Sequence, residues 1–341
     1  MIKLFRKIRY DLMEKTKLES TSNTPLVKLY LWLLELLNKQ NPILMIKLLK
    51  KMKTHIITLV FICICAFGFG QSKCDTTIDY GNNPSAGIYA QVNGIKMYYE
   101  TYGDSTKQAL LIIHGNGGSV KSSRCQIEYF KNDYYVIITD SRFQGKSENG
   151  NEKLTYKLIT EDYNSFIEHL KLDSVYIIGQ SDGGIIGLQL AIKYPSKVKK
   201  LVSIAPNLRP DNSAIHQWAV SMTKRDLNEI ELKIKQGDNS RKNIRNKALF
   251  NLMDKYPNMT TKELLNIESP VLIIAGDNDF IKLDHILEIY QNIPKAQLFI
   301  MPGATHFMIR SEHKLLNQMA NRFLSTPFKR PTTKEIILNN K

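Results

Sequence analysis

Cysteine is scarce, with four in 341 residues. Two of them, Cys63 and Cys65, fall inside an apolar run, which leaves Cys74 and Cys125. Two cysteines do not make a disulfide framework, so the sequence leaves open whether they pair. No cysteine–histidine spacing of a zinc site is present, and neither a dinucleotide-binding glycine fingerprint nor a phosphate loop occurs. The expectation is a protein without metal or organic cofactor. The apolar run 56–70 has fifteen residues, short of the ~20 that a membrane-spanning helix requires. Internal repeats and low-complexity segments are missing. Acidic residues number 32 against 47 Lys/Arg, for a net charge of +15. Residues 1–53 carry twelve Lys/Arg and four Asp/Glu, +8 of that total. These basic residues are scattered and accompany no binding motif, which argues against a nucleic-acid partner.

Lys50, Lys51 and Lys53 precede the apolar run, and Gly68 and Gly70 set small residues before a cleavage point at Gln71. A basic start, a short apolar stretch and a small-residue exit describe a secretory signal over 52–70. Export to the periplasm or the medium follows as an expectation, with a membrane anchor formed by the same segment as the alternative. Residues 1–51 then read as a basic extension, an upstream leader if translation starts at Met52 or Met45. Residues 26–37 have the pattern of an amphipathic helix lying on a membrane surface, so membrane association through 1–70 stays open.

The richest stretch is Gly179-Gln180-Ser181-Asp182-Gly183. It follows the strand-like run Val175-Tyr176-Ile177-Ile178 and opens a helix near Gly183. A Gly-x-Ser-x-Gly turn between strand and helix is a nucleophile elbow, with glycines where flanking side chains would not fit. A serine hydroxyl needs a base, and the base needs an orienting group. Of seven histidines, His306 lies in a loop just beyond the late strand-like run 297–300. Asp279 lies beyond the earlier run 271–275. The chain order Ser181, Asp279, His306 is the order this elbow demands. Asp277 is a rival acid, but a turn carboxylate is its expected job. His169 and His216 read as exposed or solvated, and His285 and His313 as surface residues near helix starts. For the oxyanion, the backbone N–H of Asp182 and that of Asn116 are the expected donors. Asn116 sits in the glycine-rich loop His114-Gly115-Asn116-Gly117-Gly118-Ser119, which His114 is expected to hold in place.

These motifs resemble those of the α/β-hydrolase superfamily over about residues 85–325. Asp140-Ser141-Arg142-Phe143-Gln144-Gly145-Lys146-Ser147 is similar to the family's Asp-x-Arg-Gly-x-Gly-x-Ser turn, with Phe143 where glycine is usual. Ser181-Asp182-Gly183-Gly184 is similar to the elbow of valacyclovir hydrolase and its bacterial relatives. That resemblance implies that Asp182 meets a substrate ammonium and that amino-acid esters are preferred. A helix-terminal carboxylate stabilised by the dipole is the competing reading of Asp182. Serine at 181 argues against the dehalogenase and epoxide-hydrolase branches, whose nucleophile is a carboxylate.

The expected fold is α/β, the α/β-hydrolase fold. It has a mostly parallel twisted sheet, helices on both faces, and a helical lid at about 206–269 between two late strands. Asn93-Gly94 marks a hairpin. The catalytic domain spans 71–325, and 326–341 reads as a polar, loosely held tail. The expected activity is cleavage of small-molecule carboxylic esters through an acyl-enzyme. The alternatives are a C–C bond hydrolase or a cofactor-free perhydrolase with the same three residues, or a non-catalytic ligand-binding protein. The oligomeric state is not legible.

Overall fold

A computed structural model describes Cys74 and residues 76–339. The extension 1–51 and the apolar segment 52–70 lie outside the described residues. Eight strands form one sheet in the order β1-β2-β4-β3-β5-β6-β7-β8. They are β1 Gly87–Val92, β2 Ile95–Tyr102, β3 Ala109–Ile113, β4 Tyr135–Thr139, β5 Val175–Gln180, β6 Val198–Ile204, β7 Val271–Gly276 and β8 Ala296–Met301. The β1–β2 and β2–β4 pairings are antiparallel and the rest parallel. The hairpin turn works because Asn93 and Gly94 both take positive φ, 41° and 76°. That is the backbone a two-residue turn needs between right-twisted strands.

The inner strands are covered on both faces, which is why β3 (ALLII) and β7 (VLIIAG) are apolar and buried throughout. Alternate side chains feed two separate cores. Leu111, Ile113, Ile177, Leu201 and Ile273 pack beneath α2 (Tyr156–His169), α3 (Asp182–Lys193) and α7 (Leu283–Gln291). Leu110, Ile112, Ile178, Val202 and Ile274 pack beneath α1 (Arg124–Phe130) and α9 (His313–Ser325). At about 25 cal/mol per Å² of apolar surface removed from water, these two layers dominate stability. Cys74 and Cys125 do pair: they form a disulfide across 51 residues of sequence, joining the start of the described chain to α1.

Between β6 and β7 the chain leaves the sheet and forms α4 Gln217–Lys235, α5 Arg241–Lys255 and the single turn α6 Thr261–Leu264. The helices α4 and α5 pack on each other. After β8 come α8 Met308–Ser311, then α9.

The described part of the tail carries an exposed helix, α10, Thr333–Asn339, opened by Thr332 and Glu335, which bond reciprocally to each other's backbone N–H. Before it, the Lys329 carbonyl accepts from Gln297, and Arg330 donates to the Tyr290 hydroxyl. Among the described residues, no helix is long and apolar enough to cross a membrane, and no group of three His, Cys, Asp or Glu could hold a metal ion.

Candidate active site

Strand β3 sends its connection toward β4, whereas β5 sends its own toward β6. The crevice between the carboxyl ends of β3 and β5 is therefore the switch point of the sheet, where such folds open a site. The elbow stands there. A Cβ on Gly179 would lie 2.1 Å from the Gly183 carbonyl oxygen, and one on Gly183 equally close to that of Ile113. Only glycine lets strand, turn and helix approach this tightly. Ser181 between them is held at φ 55°, ψ −114°, a strained conformation for an L-residue. It persists because the Ser181 N–H donates to the Ile204 carbonyl at 2.8 Å, and Ile185 N–H to the Ser181 carbonyl at 3.0 Å.

Asp279 and His306 come together from loops beyond β7 and β8. His306 Nδ1 lies 2.9 Å from Asp279 Oδ1 and 3.1 Å from Oδ2, with both residues buried. Because the carboxylate accepts at Nδ1, neutral His306 carries its proton there, which leaves Nε2 as the basic nitrogen. Asp279 Oδ1 also accepts from Ile281 N–H, which fixes the carboxylate. The Phe280 ring lies against the imidazole, centroids 3.9 Å apart. Asp277 is exposed and bonded to the Asn278 side chain, a turn carboxylate.

Ser181 and His306 line one cavity of about 440 Å³. Gly115, Asn116, Gln180 and Asp182 complete its floor, and Met222, Phe250 and Met253 of the inserted helices its roof. Asp226 and Asp254 add two carboxylates on the roof side. The Asp182 N–H is the first of α3, where no intrahelical acceptor exists. Its side chain is 3% exposed. Oδ1 accepts from the Tyr156 hydroxyl at 2.7 Å and Oδ2 from Asn116 Nδ2 at 3.0 Å. Burial pushes the Asp182 carboxyl above the usual range, against the pull of these two bonds and of the nearby imidazoles of His114 and His306. Burial and the facing carboxylate push the Tyr156 hydroxyl well up. Tyr156 carries no motif, and a tyrosine opening a helix looks like any core residue, so sequence reasoning passes over it.

His114 is fully buried, its Nδ1 2.8 Å from the Gly115 carbonyl, while Nε2 accepts from Ser141 N–H at 3.1 Å. It thereby joins the glycine-rich loop to the 140–147 turn. In that turn Phe143 takes φ 65°, the left-handed backbone that favours glycine, the residue of the motif this turn resembles. Its buried ring packs in the core under α2. Two histidines depart from expectation. His285 and His313 are buried, not on the surface. His285 Nε2 accepts from Leu208 N–H at 2.9 Å and Nδ1 faces Glu288 at 2.8 Å, so the ring is used structurally on both sides. His169 and His216 are exposed.

Residues 108–232 match the family model of the alpha/beta hydrolase fold. A Haemophilus influenzae protein that bears an esterase/lipase name is 26% identical over 241 residues, 63% of this chain and 83% of that one. Epoxide hydrolase 4 of Mus musculus is 30% identical over 129 residues, 36% of each chain. Among solved structures, an α/β hydrolase enzyme from a Medee basin deep-sea metagenome library superposes with a TM-score of 0.63 at 20% identity, covering 72% of this chain and all of that one. The chain has the α/β-hydrolase fold, and its family-model match and solved structural neighbours are of that superfamily. Within it, this is a hydrolase of the α/β fold.

Proposed function

We propose that this hydrolase cleaves carboxylic esters through an acyl-enzyme, with Ser181 as nucleophile, His306 as base and Asp279 as the group that orients it. The observation that carries the reading is that a strained Ser181 and an Asp279-bound imidazole line one cavity. His306 Nε2 takes the hydroxyl proton as Ser181 Oγ attacks the ester carbonyl. Asp279 stabilises the imidazolium that forms. The N–H groups of Asn116 and Asp182 receive the oxyanion. The imidazolium then gives its proton to the departing alcohol, and the same nitrogen draws a proton from water to release the acid. Similarity to a protein with an esterase/lipase name supports the ester class. Serine at the elbow sets the chain apart from epoxide hydrolases, whose nucleophile is a carboxylate.

The test is turnover of short p-nitrophenyl esters together with fluorophosphonate labelling. Ser181→Ala is expected to lose labelling and to lower kcat by roughly 10⁴–10⁶-fold. A variant that keeps kcat within tenfold of wild type would falsify the assignment. Export belongs to the same proposal: the Cys74–Cys125 bond supports an oxidising compartment. N-terminal sequencing of the mature protein checks it, and a chain that still begins at Met1 counts against cleavage.

A further inference from the structure

Backbone groups are the oxyanion donors proposed above, yet the Asn116 side chain is bonded in two directions. Its Nδ2 donates to Asp182 Oδ2 at 3.0 Å and to the Leu249 carbonyl of α5 at 3.4 Å. Both partners are acceptors, so the amide nitrogen must be the atom that faces them. The second carboxylate oxygen takes the Tyr156 hydroxyl, from the buried first residue of α2. One carboxylate thus joins the loop after β3, the elbow and α2, and Asn116 extends the link to the inserted helices.

The link falls on the two residues whose N–H groups would share the oxyanion. The loop that carries Asn116 is rich in glycine, and Gly117 takes φ 68°, so its backbone has little intrinsic preference for one conformation. An oxyanion hole works by preorganisation, with donors already where charge will develop. A loose loop on one side of that hole needs a tether.

We propose that the Asp182 carboxylate and the Asn116 carboxamide form a clamp that positions the oxyanion hole, with Tyr156 as its anchor. The proposal rests on the acyl-transfer reading. It makes Asp182 a positioning residue and not the contact for a substrate ammonium: the side chain is 3% exposed, and both of its oxygens are already bonded within the protein.

The test uses the full chain and two substrates, a neutral p-nitrophenyl ester and an amino-acid ester. Asn116→Ala keeps the backbone donor and removes only the tether. Because a misplacement of about 1 Å costs about 100-fold, kcat on the neutral ester should fall roughly 10- to 100-fold, with KM changed less than about threefold. Asp182→Ala should behave alike on both substrates. Asn116→Asp sets two carboxylates face to face and should be the worst variant. The exchange Asn116→Asp with Asp182→Asn restores a donor and an acceptor in reversed roles, and should recover kcat to within about tenfold of wild type. The rate of Ser181 phosphonylation by a fluorophosphonate should follow the same order without requiring turnover. The clamp is overturned if Asp182→Ala slows only the amino-acid ester, or if the exchange is no better than Asn116→Asp. Loss of the ester reading shows in wild type alone, as no turnover of either ester. The clamp is then judged on the phosphonylation rates.

Discussion

The floor and the roof of the cavity are built on different principles. The floor comes from strand ends and the helix they start, and its polar groups are tied into the protein: His306 to Asp279, Asp182 to Tyr156 and Asn116, and Gln180 to the His306 carbonyl. The roof comes from one insertion and presents mainly apolar side chains such as Met222, Phe250 and Met253. Nearby Trp218 is 59% exposed and packs at a steep angle to Phe280, ring centroids 6.3 Å apart. A floor of this kind fixes where a reaction happens. A roof of this kind sorts what enters, by shape and apolar contact.

Substitutions in the floor should therefore cost rate or stability, and those in the roof should change selectivity. Asp279→Asn leaves the shape of the floor intact but removes the group that sets the imidazole tautomer. It should lower kcat by roughly 10³–10⁴-fold with little change in melting temperature, read by ester kinetics and calorimetry. Asp162→Ala probes the support of the floor. Arg142 is fully buried and donates to both oxygens of Asp162 at 2.7 Å, and to the Asn93 carbonyl of the hairpin. Removing the buried carboxylate leaves the guanidinium only the half-exposed Glu152 and backbone carbonyls, and should cost about 3 kcal/mol in denaturant unfolding.

Phe250→Ala acts on the roof. It should shift the preference among acyl chain lengths by about 1–3 kcal/mol in kcat/KM and leave Ser181 labelling intact. A variant that abolished labelling would erase the distinction drawn between the two surfaces. His285→Gln should have the smallest effect. Burial holds the His285 imidazole below its ordinary value, so the unfolded chain binds a proton that the folded one refuses. The stability this gives is present above about pH 6.5 and is lost as pH falls through the window below it. Melting curves from pH 7.5 to 5 should therefore slope less in the variant, by about 2–4 °C over the range.

Legibility in the sequence divides along the same line. All eight strands are readable because each is a short run rich in apolar and β-branched residues, bounded by turn signals. The elbow is readable because close backbone approach demands glycine at fixed spacing. Tyr156 is not, since nothing local says that a helix-opening tyrosine will point at a carboxylate twenty-six residues on. His285 and His313 mislead because charged neighbours along the chain say little about what packs over them. The pairing of Cys74 with Cys125 needed coordinates, as two cysteines offer no pattern to read. The roof is legible as helices, but the side chains it turns inward depend on how α4 and α5 pack.

The bond between Cys74 and Cys125 encloses β1, β2, β3 and the glycine-rich loop with Asn116 in one covalent ring closed onto α1. A protease that nicks this ring once releases no fragment. The severed strands stay stitched to the rest until a reductant opens the bridge.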